Sequence, residues 1–290
     1  MPKFKNLIAA LPEPETIDPD ALRASLNDGS VQLVCVLGPT ASGKTRYAVQ
    51  LAKALGPGAE IISADSRQVY RRMDIGTGKD LAEYDGVPYH LIDIAEPGTQ
   101  YNVYRFQQDF SKAYEDIRSR GGIPILCGGT GLYISAVCGG YDFKERKPLS
   151  CTWPAAKASN PRCSAAAPWG TGGNPPDPPC FKRLQDGTFF IGTLVSREVR
   201  NARIDARLDA RLKEGMTDEI RSLLDEGIPA ETLISYGLEY KFVTLYLTGQ
   251  LSYDEMREHL AIAIHQFAKR QMTWFRGMER SGIRIHWVEV

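Results

Sequence analysis

Gly38-Pro39-Thr40-Ala41-Ser42-Gly43-Lys44-Thr45 fits the phosphate-loop pattern G-x-x-x-x-G-K-[ST] at every fixed position. The apolar run Val31–Leu37 before it reads as a buried strand, and Arg46–Leu55 after it reads as a helix. A loop between a strand and a helix N-terminus gathers backbone N–H groups at one point, where the helix dipole also favours an anion. Gly38 and Gly43 allow the tight path, Lys44 would reach terminal phosphates, and the Thr45 hydroxyl would serve a Mg²⁺ site. The octapeptide therefore predicts a phosphate-bearing ligand held at Gly38, Thr40, Ala41, Ser42, Gly43, Lys44 and Thr45. By itself it does not choose the reaction.

Working outward, Ile61–Ala64 and Ile123–Cys127 read as further strands, with Phe106–Arg118 as a helix between them ending at Gly121-Gly122. Strand, helix and strand at this spacing predict a parallel sheet with right-handed crossovers. From Thr193 onward the chain reads as helical. Ile204, Leu208 and Leu212 mark one core face, while Arg200, Arg203, Arg207 and Arg211 run along another. The last long helix starts at a capping box, Ser252-x-x-Glu255. Its apolar stripe is read as Met256, Leu260, Ile264, Phe267, Trp274 and Met278, beside a polar stripe of His265, Lys269, Thr273 and Arg276. The expected fold class is α/β: a phosphate-loop NTPase-like parallel sheet flanked by helices, a helical C-terminal half, and a degenerate or disordered insertion.

The composition sets bounds on partners. The 290 residues carry 35 basic and 35 acidic side chains, so any nucleic-acid surface has to be local. The N-terminal stretch has too short an apolar patch for a signal peptide, and no run approaches membrane-spanning length, so a cytoplasmic protein without a membrane partner, and a monomer, is expected. Residues 1–27, with Pro12, Pro14 and Pro19, read as a loose arm. The cysteines show no C-x-x-C spacing and read as reduced thiols. The phosphate-loop core is expected over 28–143 and 189–290, around an irregular region at 144–188.

Two further constellations gather at the same sheet edge. Open parallel sheets bind ligands at the carboxyl ends of their strands. Asp65-Ser66-Arg67-Gln68 follows one predicted strand there, and Gly128-Gly129-Thr130-Gly131 follows another. Asp65 suits a water-mediated Mg²⁺ ligand, a general base beside the phosphates, or a helix N-cap. Thr130 offers a hydroxyl in a glycine-rich turn that lets a ligand come close.

GPTASGKT, ISADSRQVYRRMDIGTGK, VPYHLIDI, PILCGGTGLY and HQFAKRQMTWFR together resemble tRNA dimethylallyltransferase, the isopentenyl-transferring family of tRNA modification. The resemblance covers roughly Val31–Gly140 and Phe190–Trp287. It implies transfer of a dimethylallyl group from dimethylallyl pyrophosphate to N6 of adenine 37 in the anticodon stem-loop of tRNA, with Mg²⁺ as cofactor. The phosphate loop would then hold a pyrophosphate leaving group where related folds hold ATP. Asp65 matches the family's base, Thr130 its hydrogen-bonding threonine, and Arg203, with Arg207 next, its pyrophosphate-contacting arginine. RNA contact is implied for Asp65, Ser66, Arg67, Gln68, Thr130, Ser235–Lys241, and for Lys269, Arg270, Gln271 and Arg276. The target base has to be flipped from its stack into the site.

The chain departs from the family pattern between Gly140 and Phe190. Cys151–Cys180 holds seven of the 18 prolines and no Val, Ile, Leu, Met, Phe or Tyr. Two origins fit this composition, a natural linker and an out-of-frame translation of GC-rich DNA. An RNA-gripping helical insertion belongs at this place in the family, so weakened tRNA modification is expected. The alternative functions are a phosphate-loop nucleotide kinase or ATPase, and a non-catalytic RNA-binding remnant.

Overall fold

Leu33-Val34-Cys35-Val36-Leu37 is buried along its whole length, as a strand covered on both faces must be. It is β1 of the computed structural model, which describes residues 12–139 and 184–290. The sheet is completed by β2 (Ala59–Ser63), β3 (Tyr89–His90), β4 (Ile123–Gly128), β5 (Thr188–Leu194) and β6 (Ile285–Glu289). Among the described residues these form one six-stranded sheet in the order β3-β2-β4-β1-β5-β6, parallel throughout.

Side chains alternate between the two faces of the sheet. Leu33, Cys35, Leu37, Ile62 and Leu126 pack on one face beneath α3 (Val103–Ser119), α4 (Gly131–Cys138) and the C-terminal helices. Val34, Val36, Ile61, Ile125 and Ile191 pack on the other, beneath α1 (Pro19–Asn27) and α2 (Lys44–Leu55). The C-terminal half contributes α5 (Arg197–Glu214), α6 (Met216–Asp225), α7 (Ala230–Ser235), α8 (Leu238–Leu247) and α9 (Tyr253–Arg280). Both arms of the expected capping box are made: the Ser252 hydroxyl accepts from the Glu255 N–H, and the Glu255 carboxylate accepts from the Ser252 N–H.

Three expectations change. The arm read as loose over 1–27 is docked from Glu15 onward: the Glu15 N–H donates to the Trp287 carbonyl. Asp18 then caps α1, whose Leu22 and Leu26 are buried against α2. The C-terminal half is not wholly helical, because the β-branched and aromatic runs Thr188–Leu194 and Ile285–Glu289 add two strands, β5 beside β1 and β6 beside β5. The region read as irregular to residue 188 ends earlier: Leu184–Gly187 make a 3₁₀ turn and Thr188 already belongs to β5. The remaining expectations for 144–183, the proline-rich stretch included, lie outside the described residues.

At the N-terminal rim of the sheet, Glu60 is 5% exposed and accepts from Arg120 at 2.7 and 3.2 Å. It also meets His90 Nε2 at 2.7 Å. The Arg120 hydrogen bond is the largest influence holding its carboxyl below the ordinary 4.5. A carboxylate with a depressed folded pKa stabilises the fold above its unfolded value and loses that contribution as pH falls through the folded value. Glu60→Gln is expected to cost about 1–2 kcal/mol at neutral pH. It should also flatten the acid loss of stability below 4.5, as read by urea unfolding across a pH series.

Candidate active site

The register of the sheet builds the site. Leu37 of β1 pairs with Gly128 of β4, and Ser63 of β2 pairs with Cys127. The three segments that follow these strands therefore leave the same edge side by side: the loop from Gly38, the turn from Asp65, and Gly129-Thr130. They open into one cavity of about 650 Å³, lined by Thr40, Ala41, Gly43, Lys44, Thr45, Asp65 and Thr130 and by the α5 residues Arg203, Arg207 and Arg211. That volume suits a small organic ligand.

The phosphate loop has the form its sequence predicts. Gly43, at φ +78°, is the N-cap of α2 and supplies no side-chain cap, so the first N–H groups of the helix keep their capacity for an anion. Lys44 donates to the Pro39 carbonyl at 3.4 Å. Burial lowers its pKa first, Arg207 lowers it further, and Cys127 and Asp65 act in the opposite direction. Burial pushes the Cys127 thiol up to about 12, so it stays neutral beside the lysine. Ser42 is turned inward and shares a 2.7 Å hydrogen bond with Thr193. Its side chain and Gly38 are not among the cavity-lining groups.

Asp65 is not a helix N-cap. Its Oδ1 accepts the Arg67 N–H at 2.9 Å in a tight turn, and Oδ2 makes no hydrogen bond among the described residues. The Thr130 hydroxyl accepts the Ser66 N–H at 3.2 Å, which ties the two turns together. Arg67 pairs with Glu239 of α8 and lies over the Phe267 ring at 4.9 Å. The Gln68 amide donates to the Gly78 carbonyl at 3.1 Å.

Gln271 has a structural role that spacing does not reveal. It is 8% exposed, accepts the Thr40 N–H at 2.8 Å and donates to the Gly129 carbonyl at 2.8 Å. It is a clasp between the phosphate loop and the glycine turn, and it lines the cavity with one amide hydrogen and one oxygen lone pair to spare. Lys269 and Arg270 are exposed, and Arg270 lines the cavity; Arg276 is half-buried and does not line it. The apolar stripe of α9 also follows another path: after Ile264 it continues through Ala268, Gln271 and Phe275. Phe267 and Trp274 are thereby left at the cavity, Trp274 42% exposed with its N–H on the Ser135 hydroxyl at 3.1 Å. His265 of the polar stripe is tied to Asp205 on α5 at 2.9 Å. Of the two arginine candidates, Arg203 is exposed, whereas Arg207 is half-buried and bonded to the Gly78 carbonyl and Asp80.

Sequence reading missed how the loop 73–79 is held. The Glu219 carboxylate accepts the N–H groups of Asp74, Ile75 and Gly76 at 2.8, 2.7 and 3.0 Å and the Tyr240 hydroxyl at 2.6 Å. The fully buried Lys79 ammonium pairs with Asp74 and Asp93. A lone glutamate on a helix carries no local signal of such a contact.

A parallel sheet with a phosphate loop, a strand-end aspartate and a glycine-threonine turn around one cavity defines a phosphate-loop α/β protein. The family model described as IPP transferase matches residues 68–166 and 173–278, and that of isopentenyl transferase matches residues 31–86. Similar proteins include tRNA dimethylallyltransferase 1 of Parabacteroides distasonis, 48% identical over 90% of this chain and 93% of its own, and tRNA dimethylallyltransferase 1 of Porphyromonas gingivalis, 49% identical over 89% and 93%. Among solved structures, the tRNA isopentenylpyrophosphate transferase of Bacillus halodurans superposes with a TM-score of 0.68 at 32% identity, covering 89% of each chain. The chain belongs to the IPP transferase family. This membership displaces the nucleotide-kinase alternative.

Gln271→Leu removes both halves of the clasp and leaves the Thr40 N–H and the Gly129 carbonyl unpaired. It is expected to cost about 1–3 kcal/mol in chemical unfolding. It should also raise KM for the phosphate-bearing substrate while leaving RNA affinity unchanged, measured by steady-state kinetics and filter binding.

Proposed function

We propose that this protein transfers a dimethylallyl group from dimethylallyl pyrophosphate to N6 of adenine 37 in tRNA. The observation that carries the reading is the convergence of Lys44, Asp65 and Thr130 on one cavity, in a chain of this family. The phosphate loop holds the pyrophosphate of the donor. The adenine enters as a flipped base, between the turns at Asp65 and Thr130. The N6 lone pair is delocalised into the ring, so attack on the allylic carbon is helped by removal of an N6 proton. The unengaged Oδ2 of Asp65 takes that proton while the allylic C–O bond breaks and pyrophosphate leaves with the electron pair. The Thr130 hydroxyl accepts the Ser66 N–H at 3.2 Å and donates to the Ser66 hydroxyl at a long 3.5 Å, a donor that can turn to the adenine edge instead. Lys44 and the α5 arginines stabilise charge growing on the departing pyrophosphate.

Mg²⁺ fits this donor set. The Thr45 hydroxyl lines the cavity and makes no hydrogen bond among the described residues, and the Asp65 carboxylate lies on the same wall. The described residues hold no group of three or more His, Cys, Asp or Glu able to cage a metal, so phosphate oxygens and water would complete the shell. When bound, the ion supplies charge neutralisation on the leaving group. Arg270, Lys269, Arg276 and the exposed face of Trp274 offer the cations and stacking surface by which a single-stranded anticodon loop is gripped. No described helix is long and apolar enough to cross a membrane.

The test is incubation with labelled dimethylallyl pyrophosphate and unmodified anticodon stem-loop. Asp65→Ala should lower turnover by at least about 100-fold with RNA affinity retained; unchanged turnover would exclude Asp65 as the base. The proline-rich composition of 151–180 predicts fewer phosphate contacts, hence a raised KM for tRNA with a shallower salt dependence than the relatives show. Turnover on the stem-loop equal to that of the Parabacteroides relative would refute it.

A further inference from the structure

We propose that Arg211 is a further anion-holding residue of this site, reaching the donor pyrophosphate from the α5 side of the cavity that Lys44 also lines. The inference rests on the prenyl-pyrophosphate reading above. Arg211 is the last member of the arginine row on α5, and it matches none of the residues that the family pattern marks as functional.

Four observations carry it. Arg211 lines the same cavity as Lys44 and Thr45. It also borders, together with Thr40 and Ala41, a gap of about 20 Å³ beside the phosphate loop. Its guanidinium has no hydrogen bond or ion pair among the described residues, although Arg207 adds a second positive charge beside it. The nearest carboxylates are taken, Asp80 by Arg207 and Glu239 by Arg67. Burial and the like charge of Arg207 bring its pKa down to about 10, so it stays charged at neutral pH while lacking a counter-ion. A cation held this way is costly unless an anion joins it.

The fold also makes room for it. A Cβ at Gly78 would lie 1.5 Å from Arg211 Nη2 and 2.8 Å from Arg207 Nη2, so only glycine lets both guanidinium groups press against this backbone. The loop that carries Gly78 is clamped by Glu219 and by the buried Lys79 pairs. The guanidinium groups are therefore seated on a rigid backing before any ligand arrives, the arrangement that makes electrostatic stabilisation effective.

The full chain, Arg211→Met and Arg211→Lys are compared by calorimetric titration with inorganic pyrophosphate and Mg²⁺, by thermal unfolding with and without pyrophosphate, and by KM for each substrate. Arg211→Met should weaken pyrophosphate binding at least about tenfold, the loss expected for one charge-assisted contact. KM for dimethylallyl pyrophosphate should rise in parallel, KM for tRNA should stay unchanged, and Arg211→Lys should recover part of the loss. Without ligand, Arg211→Met should unfold at the wild-type temperature or above it, because an uncompensated cation has gone. Unchanged pyrophosphate affinity in the folded Met variant would overturn the proposal. So would a lower unliganded melting temperature with an undiminished pyrophosphate-induced rise, which marks a purely structural arginine. If the wild-type chain binds pyrophosphate through Arg211 but transfers no prenyl group, the functional reading fails and the anion site stands.

Discussion

The parallel ladder between β2, β4 and β1 is the constraint on which the site depends. Its strands are buried on both faces, so a slip of one residue would turn a row of core side chains to the wrong face. That cost holds Leu37 opposite Gly128 and Ser63 opposite Cys127. The phosphate loop, Asp65 and Thr130 then emerge together because of the ladder, and not because of attraction among themselves. Gln271 adds the one cross-link that the ladder cannot supply, from the phosphate loop to the glycine turn.

A second layer of contacts sets the charge balance. Arg67, Glu239, Arg207 and Asp80 neutralise one another in pairs around the cavity. Lys44 and Arg211 are left as cations whose pKa values burial lowers. This bias suits a ligand of concentrated negative charge, and the clamped loop at 73–79 keeps it in place without relying on the ligand. Part of what the site gains in fixed geometry is offset by the cost of holding Arg211 without a counter-ion.

Much of this was legible one segment at a time. Octapeptide, strand-end aspartate and glycine-threonine turn each carry a local pattern, and each lies where its pattern implies. The reading erred where the signal was periodic but the partner distant. Along α9, a helical wheel cannot tell a residue that faces the core from one that faces a cavity beside it, so Phe267 and Trp274 were counted with the core. The strands β5 and β6 were passed over because β5 follows directly on the irregular region and β6 on the long helix α9. Between Arg203 and Arg207, spacing offers no choice; burial and the bond to Gly78 separate them.

The sequence by itself determined the class of ligand and the order of the chemistry-bearing segments, because backbone shape in a phosphate loop and at strand ends is a local property. Only the tertiary structure decided which charges are left without partners. Glu219 and Gln271 reach backbone groups 142 to 231 positions away and Arg211 meets the loop at Gly78, and such contacts exist only once α5, α6 and α9 have closed over the carboxyl edge of the sheet. Charge balance in a buried site is a sum over neighbours in space, and a chain read in order does not list them.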